Sequence, residues 1–286
     1  MLKKNAGRTF RTMQVMKSTQ ETQYLILCDF DETYYPHEGT DAQLIKLHEL
    51  EQYLNYLGER HLAKIGWVTG SSLNQILQKM KTAGIAYLPH FIASDLGTEI
   101  WMTDFDGQLH SLPQWESSIR NSGFSRYAVE EICNELRSIY NIRLQAQTQH
   151  GQAPHKMNFY YYVKSEAGTR YDLNVIKQLA FNYGIQVNIN RCNPKAGDPH
   201  QAYDIDFIPN GAGKKQAAHF MRTYYNVPIE RTIAFGDSGN DIEMLKAAKY
   251  GYLLQNATPE AKSLYPNIAP FPYAEGILHV CKTIFP

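Results

Sequence analysis

The sequence lacks the features that mark several classes of protein. Its 286 residues include four scattered cysteines with no CxxC pair, which argues against a disulfide framework or a zinc ribbon. No apolar run approaches the ~18 residues of a membrane-spanning helix. Neither sign of charge is in excess, because 28 basic residues are balanced by 28 acidic ones. We therefore expect neither a nucleic-acid nor a membrane partner, and the cysteine pattern favours a cytoplasmic protein.

The beginning of the chain also lacks the apolar segment that a secretory signal needs. Residues 1–22 are polar and rich in lysine and arginine, and we expect them to form a flexible tail. The rest of the chain is long enough for one large domain or two ordinary ones. Internal repeats and low-complexity segments are absent, and the sequence leaves the oligomeric state open.

Apolar runs alternate with helical periodicity in the first and last thirds of the chain. Strands are predicted at 24–28, 64–68, 91–93, 204–208, 232–235 and 252–254. Helices are predicted between them at 44–57, 73–80, 216–225 and 241–248. This alternation predicts an α/β fold with a doubly wound, mostly parallel, Rossmann-like sheet.

The middle of the chain breaks this alternation. A hairpin is predicted at 98–110, helices at 125–140 and 171–183, and strands at 142–147, 156–163 and 186–190. This order predicts an inserted α+β unit, an antiparallel sheet with helices on one face. We therefore expect a core domain made of residues 23–107 and 204–286, interrupted by a cap domain at residues 108–203.

Two pairs of aspartates directly follow predicted strands far apart in the sequence. Asp29 and Asp31 follow the run 24–28, and Asp237 and Asp241 follow the run 232–235. Carboxylates that come together in a partly buried place repel one another unless a cation binds them or one keeps its proton. An all-oxygen site suits Mg²⁺, which commonly bridges to a substrate phosphate. The pattern therefore predicts an enzyme of phosphoryl chemistry.

The four aspartates suit different roles in the cleavage of a phosphate ester. Asp29 is predicted to be the nucleophile that forms an aspartyl-phosphate. Asp31 is predicted to protonate the leaving alcohol and then to take a proton from water, for which its pKa would have to be raised. Asp29, Asp237, Asp241 and the backbone carbonyl of Asp31 are the predicted ligands of Mg²⁺.

Two further loops supply groups for the phosphate. The hydroxyl of Thr69 and the backbone amides of Gly70 and Ser71 can receive a phosphoryl oxygen near the start of a helix. Lys214 can offset the charge that develops on the transferred group. Each motif alone also fits an ordinary turn, helix cap or solvated helix start. Their order, with each motif following a predicted element of one sheet, favours the catalytic interpretation.

At these residues the chain resembles the haloacid-dehalogenase superfamily of phosphohydrolases. The stretches 29–33 (DFDET), 68–71 (VTGS) and 236–241 (GDSGND), together with Lys214, resemble its four motifs. The resemblance implies a Mg²⁺-dependent phosphatase of the sugar-phosphatase branch, which carries a large α+β cap and includes sucrose-phosphate phosphatases. Further blocks between residues 28 and 214 look like those of phosphatases that act on an amino-hexose 6-phosphate. Glu32 departs from the superfamily, where glycine is common, and its charge could favour a cationic substrate.

The cap is expected to select the sugar, because the core contacts little beyond the phosphate. Strand alternation places polar residues of 156–163 and 186–190 on one face, opposite the apolar residues. Such a face suits a polyhydroxylated ligand, although an ordinary solvated sheet face has the same pattern. The candidate substrate-binding residues are Lys156, Asn158, Asn188, Asn190, Arg191 and Asp198.

The predicted function is the hydrolysis of a small sugar phosphate, most specifically an amino-hexose 6-phosphate. A phosphatase for another sugar phosphate, such as sucrose phosphate, has the same motifs. A sugar phosphomutase of the same fold would return the phosphoryl group to the sugar instead of releasing it. A signalling receiver domain also combines aspartate, threonine and lysine around Mg²⁺, but it is much shorter and has no cap.

Overall fold

A computed structural model describes residues 14–17, 22–60, 63–148, 153–194 and 197–285. The strands within these residues are β1 (Gln14–Val15), β2 (Tyr24–Cys28), β3 (Ala63–Val68), β4 (Tyr87–Leu88), β5 (Phe91–Ser94), β6 (Glu99–Thr103), β7 (Leu109–Ser111), β8 (Gln145–Ala146), β9 (Met157–Tyr162), β10 (Ile185–Arg191), β11 (Ala202–Pro209), β12 (Thr232–Gly236) and β13 (Tyr250–Leu253). The helices are α1 (Asp41–Arg60), α2 (Leu73–Ala83), α3 (Pro113–Arg120), α4 (Arg126–Ser138), α5 (Glu166–Asn182), α6 (Lys214–Tyr224), α7 (Ile242–Lys246), α8 (Pro259–Leu264) and α9 (Tyr273–Ile284).

The larger sheet has the strand order β13-β12-β2-β3-β5-β6-β7 within the described residues. The strands from β13 to β5 pair in parallel, and β6 and β7 extend the sheet as an antiparallel hairpin. β2 therefore lies between β12 and β3, and the carboxyl ends of all three strands open at one edge. The predicted mostly parallel α/β sheet is confirmed.

Helices cover both faces of this sheet, which explains why β2 is apolar throughout. Ile26 and Cys28 enter a buried cluster with residues of α1, α2 and α9. Leu25 and Leu27 point to the other face and enter a cluster with residues of α3, α6, α7 and α8. The sequence analysis missed α9, although the buried positions Ala274, Ile277, Leu278 and Cys281 have helical spacing.

A second, antiparallel sheet has the order β10-β11-β9-β8 within the described residues. Its apolar face packs on α4 and α5, and the shared cluster includes Ile132, Ile176 and Phe207. We call the unit from α4 to β11 the cap. The predicted antiparallel sheet with helices on one face is confirmed.

Three elements lie on the other side of the predicted boundary between core and cap. The strand predicted at 204–208 was assigned to the core sheet, which is wrong, because β11 pairs with β9 and β10 of the cap. Its alternation of aspartates with apolar residues is typical of a sheet with one polar face. Conversely, β7 extends the larger sheet, and Trp115 and Ile119 of α3 pack in a core cluster. We therefore propose that the insert runs from the end of α3 to Pro209 rather than over residues 108–203.

Part of the predicted flexible tail is ordered against the core. Gln14 and Val15 pair in parallel with Tyr87 and Leu88, and Met16 is buried in a core cluster. The prediction of a flexible tail is therefore wrong for residues 14–17. The remainder of that prediction falls on residues 1–13 and 18–21, which lie outside the described residues.

The described residues form neither a disulfide nor a helix that could span a membrane. All four cysteines are free thiols, and only Cys133 is partly exposed. Within the described parts of the chain, each helix is too short or too polar to cross a bilayer.

Candidate active site

Three loops with predicted catalytic residues open at the same edge of the larger sheet. Asp29 follows β2, and its backbone N–H donates to the carbonyl of Phe235 on the neighbouring β12 over 2.9 Å. Thr69 follows β3 and donates in the same way to the carbonyl of Ala93 on β5 over 2.9 Å. Asp237 follows β12 directly. The ladder of the sheet thus fixes where each of these side chains begins.

Three carboxylates and one lysine form the centre of the site. Oxygens of Asp29, Asp237 and Asp241 all lie within 4.8 Å of one another, and all three residues are buried. Lys214, the first residue of α6, places Nζ 2.8 Å from Oδ1 of Asp29 and 2.7 Å from Oδ1 of Asp241. We call Asp29, Asp237, Asp241 and Lys214 the acidic centre. One lysine against three carboxylates leaves an excess of negative charge.

The pKa shifts follow from this excess. Burial raises the pKa of Asp29 to about 7, with help from Asp241 and Asp31 and against the effect of Lys214. Burial and the neighbouring Asp29 and Asp241 raise the pKa of Asp237 well above its usual value. Burial disfavours the charge of Lys214, but Asp241 and Asp29 outweigh it and raise the pKa of the lysine. The acidic centre is therefore short of positive charge.

The loop after β12 is built to hold Asp241 in place. Oδ2 of Asp241 accepts hydrogen bonds from the backbone amides of Asp237 and Ser238 over 3.1 and 3.0 Å. A Cβ on Gly236 would collide with the side chain of Asp241, so glycine is required there. Thr33 Oγ1 donates to Oδ1 of Asp237 over 3.0 Å. These contacts hold the carboxylates of Asp237 and Asp241 in place.

The donor set of the acidic centre fits Mg²⁺. The three carboxylates offer only oxygen ligands, and a divalent cation would balance the charge that Lys214 leaves uncompensated. Asp29, Asp237 and Asp241 are the residues that would hold the ion. The carboxylate of Asp31 is not one of this group, and the role predicted for its backbone carbonyl stays a prediction.

The side chain of Asp31 is surrounded by donors rather than by other acids. Ser71 Oγ donates to Oδ2 over 2.6 Å, His37 Nε2 lies 3.1 Å from Oδ1, and Lys79 forms an ion pair with the same oxygen. Burial alone would raise the pKa of Asp31, but the hydrogen bond from His37 and the charge of Lys79 outweigh it and lower the pKa. The prediction of a raised pKa is therefore wrong for this arrangement. Neither His37 nor Lys79 was predicted from the sequence to contact Asp31.

Residues 69–71, which are predicted to bind the phosphate and which we call the phosphate loop, lie just before α2. Ser72 caps this helix, because its hydroxyl accepts from the backbone of Gln75 and the Gln75 side chain bonds back to the Ser72 backbone. The Ser71 amide donates to Oγ1 of Thr69 over 3.1 Å, which shapes the turn. Amides before a helix start are suited to bind a phosphoryl oxygen.

A cavity of about 940 Å³ joins the phosphate loop, the acidic centre and the polar face of the cap sheet. Among the predicted site residues it is lined by Asp29, Asp31, Thr69, Gly70, Ser71, Lys156, Asn158, Asn188, Asn190, Arg191, Asp198, Lys214 and Asp237. Asp241 is fully buried and does not itself line the cavity. The structure thus brings the predicted core and cap residues together around one space.

The cap residues are largely engaged with other protein groups. Asp198 accepts from the hydroxyl of Tyr160 over 3.1 Å, and the guanidinium of Arg191 lies 5.3 Å from the centre of the Tyr203 ring. Asn190 lies close to Gly239, in the loop that carries Asp237 and Asp241. Their contact with a sugar stays a prediction.

Lys156 connects the cap to the phosphate loop. Its Nζ lies 2.8 Å from Oδ1 of Asp95 and donates to the carbonyl of Gly70 over 2.8 Å. Both members of this ion pair are buried. The lysine was predicted to bind substrate, but in the structure it holds the backbone of a predicted phosphate-binding residue. We infer that it positions the loop.

Lys156→Met is expected to lower kcat/KM for phosphate esters by roughly 100-fold, because a displaced phosphate loop misaligns the reaction. The measurement is steady-state kinetics of the two proteins under the same conditions. Lys164→Met is the matched control, since Lys164 also pairs with an aspartate, Asp172, over 2.7 Å but does not line the cavity. Equal losses in both variants, or no loss in Lys156→Met, would contradict the positioning role.

Three acidic residues that line the cavity were missed or misinterpreted. Asp204 and Asp206 lie on β11, which the sequence analysis assigned to the core. Their alternation with Ile205 and Phe207 was the available signal. The carboxylate of Glu32, whose charge was expected to favour a cationic substrate, accepts from the backbone of His37 over 3.0 Å and the hydroxyl of Tyr273 over 3.2 Å.

Comparison with known families agrees with this geometry. The family model described as sucrose-6F-phosphate phosphohydrolase matches residues 22–281, which include all four motifs and the cap. The chain belongs to this family. The protein is therefore a sugar phosphatase with the haloacid-dehalogenase-like α/β fold, and it contains the acidic centre and the cap described above.

Individual relatives support the same conclusion. Kanosamine-6-phosphate phosphatase of Bacillus subtilis (strain 168) is 45% identical over 271 residues, which cover 95% of this chain and 96% of that protein. The crystal structure of yhjK, a haloacid dehalogenase-like hydrolase protein from Bacillus subtilis, gives a TM-score of 0.75 at 43% identity and covers 97% of both chains. The sucrose-phosphatase of Synechocystis sp. PCC6803 shares the fold, with a TM-score of 0.72 at 20% identity over 92% of this chain and 98% of that chain.

Proposed function

We propose that the protein is a Mg²⁺-dependent phosphatase that hydrolyses kanosamine 6-phosphate through an aspartyl-phosphate on Asp29. The chemistry is supported above all by the acidic centre, in which Lys214 lies 2.8 Å from Asp29 and the carboxylates of Asp237 and Asp241 lie close by. These groups combine a buried nucleophile, a fixed positive charge and oxygen ligands for a cation.

The protein groups can carry out the reaction in two steps. In the first step a carboxylate oxygen of Asp29 attacks phosphorus, the bond from phosphorus to the sugar oxygen breaks, and that oxygen takes a proton. In the second step water attacks the aspartyl-phosphate, inorganic phosphate leaves, and Asp29 is regenerated. Lys214 offsets the charge on the transferred oxygens. Asp29, Asp237 and Asp241 would hold Mg²⁺, which would supply further positive charge to the reaction.

Asp31 is placed to move the protons of both steps. Its lowered pKa keeps the carboxylate ionised, which is the form that accepts a proton from the attacking water in the second step. The first step needs a proton at the sugar oxygen. His37, whose Nε2 lies 3.1 Å from Oδ1 of Asp31, is placed to deliver it through the carboxylate.

The charge distribution along the cavity favours an amino sugar over a neutral one. Lys214 and a bound divalent cation would neutralise the carboxylates at the phosphate end, whereas the cap wall carries three further acidic residues, Asp198, Asp204 and Asp206. Kanosamine 6-phosphate has the complementary arrangement, with a phosphate dianion at one end and an ammonium on the ring. The 45% identity to a kanosamine-6-phosphate phosphatase supports the same substrate.

A second candidate is a phosphatase for a neutral sugar phosphate such as sucrose phosphate. The description of the family model favours it. The negative cap wall argues against it, because a neutral sugar offers no charge to balance three carboxylates. A phosphomutase of the same fold would also use an aspartyl-phosphate.

Steady-state kinetics on three substrates tests the proposal. We expect kcat/KM for kanosamine 6-phosphate to exceed that for glucose 6-phosphate by about tenfold or more, with sucrose phosphate lower still, because only the first presents a charged donor to the acidic wall. EDTA should abolish phosphate release, and added Mg²⁺ should restore it. Equal kcat/KM values for the three sugar phosphates would refute the proposal that kanosamine 6-phosphate is the preferred substrate. Isomerised sugar phosphate without release of inorganic phosphate would indicate a mutase.

A further inference from the structure

The cap face above the active site has a carboxylate in its middle strand with an amide on each side. The strand register pairs Asp206 of β11 with Asn188 of β10 and with Asn158 of β9, so the three residues form one row across the sheet. All three line the cavity. Sequence and register alone explain this row, because residues directly opposite on neighbouring strands point to the same face.

The hydrogen bonds in this row fix the direction of both amides. Asn158 Nδ2 donates to Oδ1 of Asp206 over 2.8 Å, and Asn188 Nδ2 donates to Oδ2 over 3.1 Å. An ionised carboxylate can only accept hydrogen bonds, so each asparagine must turn its NH₂ group toward Asp206. Each amide carbonyl is then directed away from Asp206, where it can accept from a ligand. The row thus suits a ligand with many donors, such as hydroxyls and an ammonium.

The same wall also carries several acidic groups for few basic ones. Asp206 is 7% exposed, and burial raises its pKa against the effect of Lys156, which also binds Asp95 and the carbonyl of Gly70. Asp204 lies two residues along β11 and accepts from Nε2 of Gln147 over 2.8 Å. Burial raises the pKa of Asp204 to about 7, with help from Asp206 and Asp198, which is the effect expected of carboxylates without a partner cation.

We propose that Asp206 is a positioning residue that selects amino-sugar phosphates, because it holds Asn158 and Asn188 with their carbonyls toward the ligand and adds negative charge behind them. The proposal rests on the proposed function, since it explains how that reaction distinguishes an ammonium from a hydroxyl. A ring ammonium donates to the two carbonyls and is attracted by the carboxylate. A hydroxyl at the same carbon donates only one hydrogen bond and carries no charge.

Asp206→Asn tests this role, because the new amide is neutral and both donates and accepts, so it no longer forces both neighbouring amides into one orientation. We expect the ratio of kcat/KM for kanosamine 6-phosphate to that for glucose 6-phosphate to fall about tenfold or more, mainly through KM for the amino sugar. Hydrolysis of p-nitrophenyl phosphate, which has no sugar for the cap to bind, is measured in parallel, and the ratio for the two sugar phosphates decides the test. An unchanged ratio would overturn the proposal.

Asp172→Asn is the matched control for loss of a buried carboxylate in the cap. Asp172 is buried on α5, accepts from the hydroxyl of Tyr161 over 2.8 Å and does not line the cavity. This variant should lower the melting temperature and leave the substrate ratio unchanged. An equal fall of the ratio in Asp172→Asn would show that Asp206 acts only through the stability of the cap, and the proposal would be wrong.

Two further outcomes separate this proposal from the proposed function. If the wild-type protein releases no phosphate from kanosamine 6-phosphate, glucose 6-phosphate or p-nitrophenyl phosphate, the proposed function fails and the selection by Asp206 fails with it. If it hydrolyses p-nitrophenyl phosphate and both sugars with equal kcat/KM, it is a phosphatase without the proposed selection. Should Asp206→Asn not fold, Asn188→Ala removes one of the carbonyls and should give the same fall in the ratio, whereas an unchanged ratio would again overturn the proposal.

Discussion

Asp29→Asn is expected to lower kcat for phosphate esters by on the order of 10⁴-fold or more, because an amide cannot act as the nucleophile. Asp29 is buried beside Lys214, with 2.8 Å between Oδ1 and Nζ, so the lysine holds its carboxylate in place. The wild-type protein should also show a phosphoryl adduct by mass spectrometry after rapid acid quenching. The variant should show none.

The same substitution is expected to preserve or raise the stability of the metal-free protein at pH 8. The pKa of Asp29 is raised from 3.8 to about 7 in the folded state, so the folded protein holds this proton more tightly than the unfolded chain. The corresponding stability is present below pH 4 and is lost as the pH rises toward 7. Above that range the ionised carboxylate destabilises the fold, and asparagine removes this effect.

Thermal denaturation in EDTA measures this second outcome. Asp106→Asn is the control, because Asp106 is an exposed aspartate in the turn between β6 and β7 and should leave both activity and melting temperature unchanged. Turnover of Asp29→Asn near that of the wild type would refute the nucleophile. A melting temperature well below that of the control would instead indicate that Asp29 is needed for folding.

Lys214→Met is expected to reduce both activity and stability, which distinguishes it from the nucleophile variant. Without the lysine, the carboxylates of Asp29, Asp237 and Asp241 remain buried without a compensating charge. Breaking a buried ion pair by removing one partner lowers the free energy of unfolding by about 3–5 kcal/mol. We expect kcat to fall by roughly 10²- to 10³-fold, as for the loss of other groups that stabilise a transition state.

The neighbouring residue provides a matched control for this prediction. Lys215 is exposed and pairs with Glu243 over 3.2 Å at the surface, so Lys215→Met should change the free energy of unfolding by only about 0.2–1 kcal/mol. Asp241→Asn added to Lys214→Met should recover part of the stability and none of the activity. Equal stability of the two single lysine variants in EDTA would contradict the electrostatic account of the acidic centre.

The convergence of the core residues could be predicted from the sequence because parallel strands impose it. The carboxyl ends of neighbouring parallel strands meet at one edge, so residues directly after β2, β3 and β12 must come together. The structure does bring Asp29, Thr69 and Asp237 to that edge. Local patterns also sufficed for β8, β9 and β10 of the cap sheet, whose apolar face packs on its helices.

The partners of Asp31 could not be predicted in this way. His37 and Lys79 reach Asp31 from a loop and from α2, and strand order does not determine which side chains meet there. The assignment of β11 failed for a different reason. A strand that leaves an insert has the same local pattern as one that returns to the core, and only its pairing with β9 and β10 decides between them. That error concealed Asp204 and Asp206.

The connection between β11 and α6 has a consequence for the exchange of caps between family members. β11 ends at Pro209 and α6 begins at Lys214, so only residues 210–213 separate this cavity-lining strand from the lysine of the acidic centre. In a chimaeric protein joined within residues 210–213, a change in the path of this short connection would also move Lys214. The opposite junction, after α3, carries none of the acidic centre, so its position places no such constraint on Lys214.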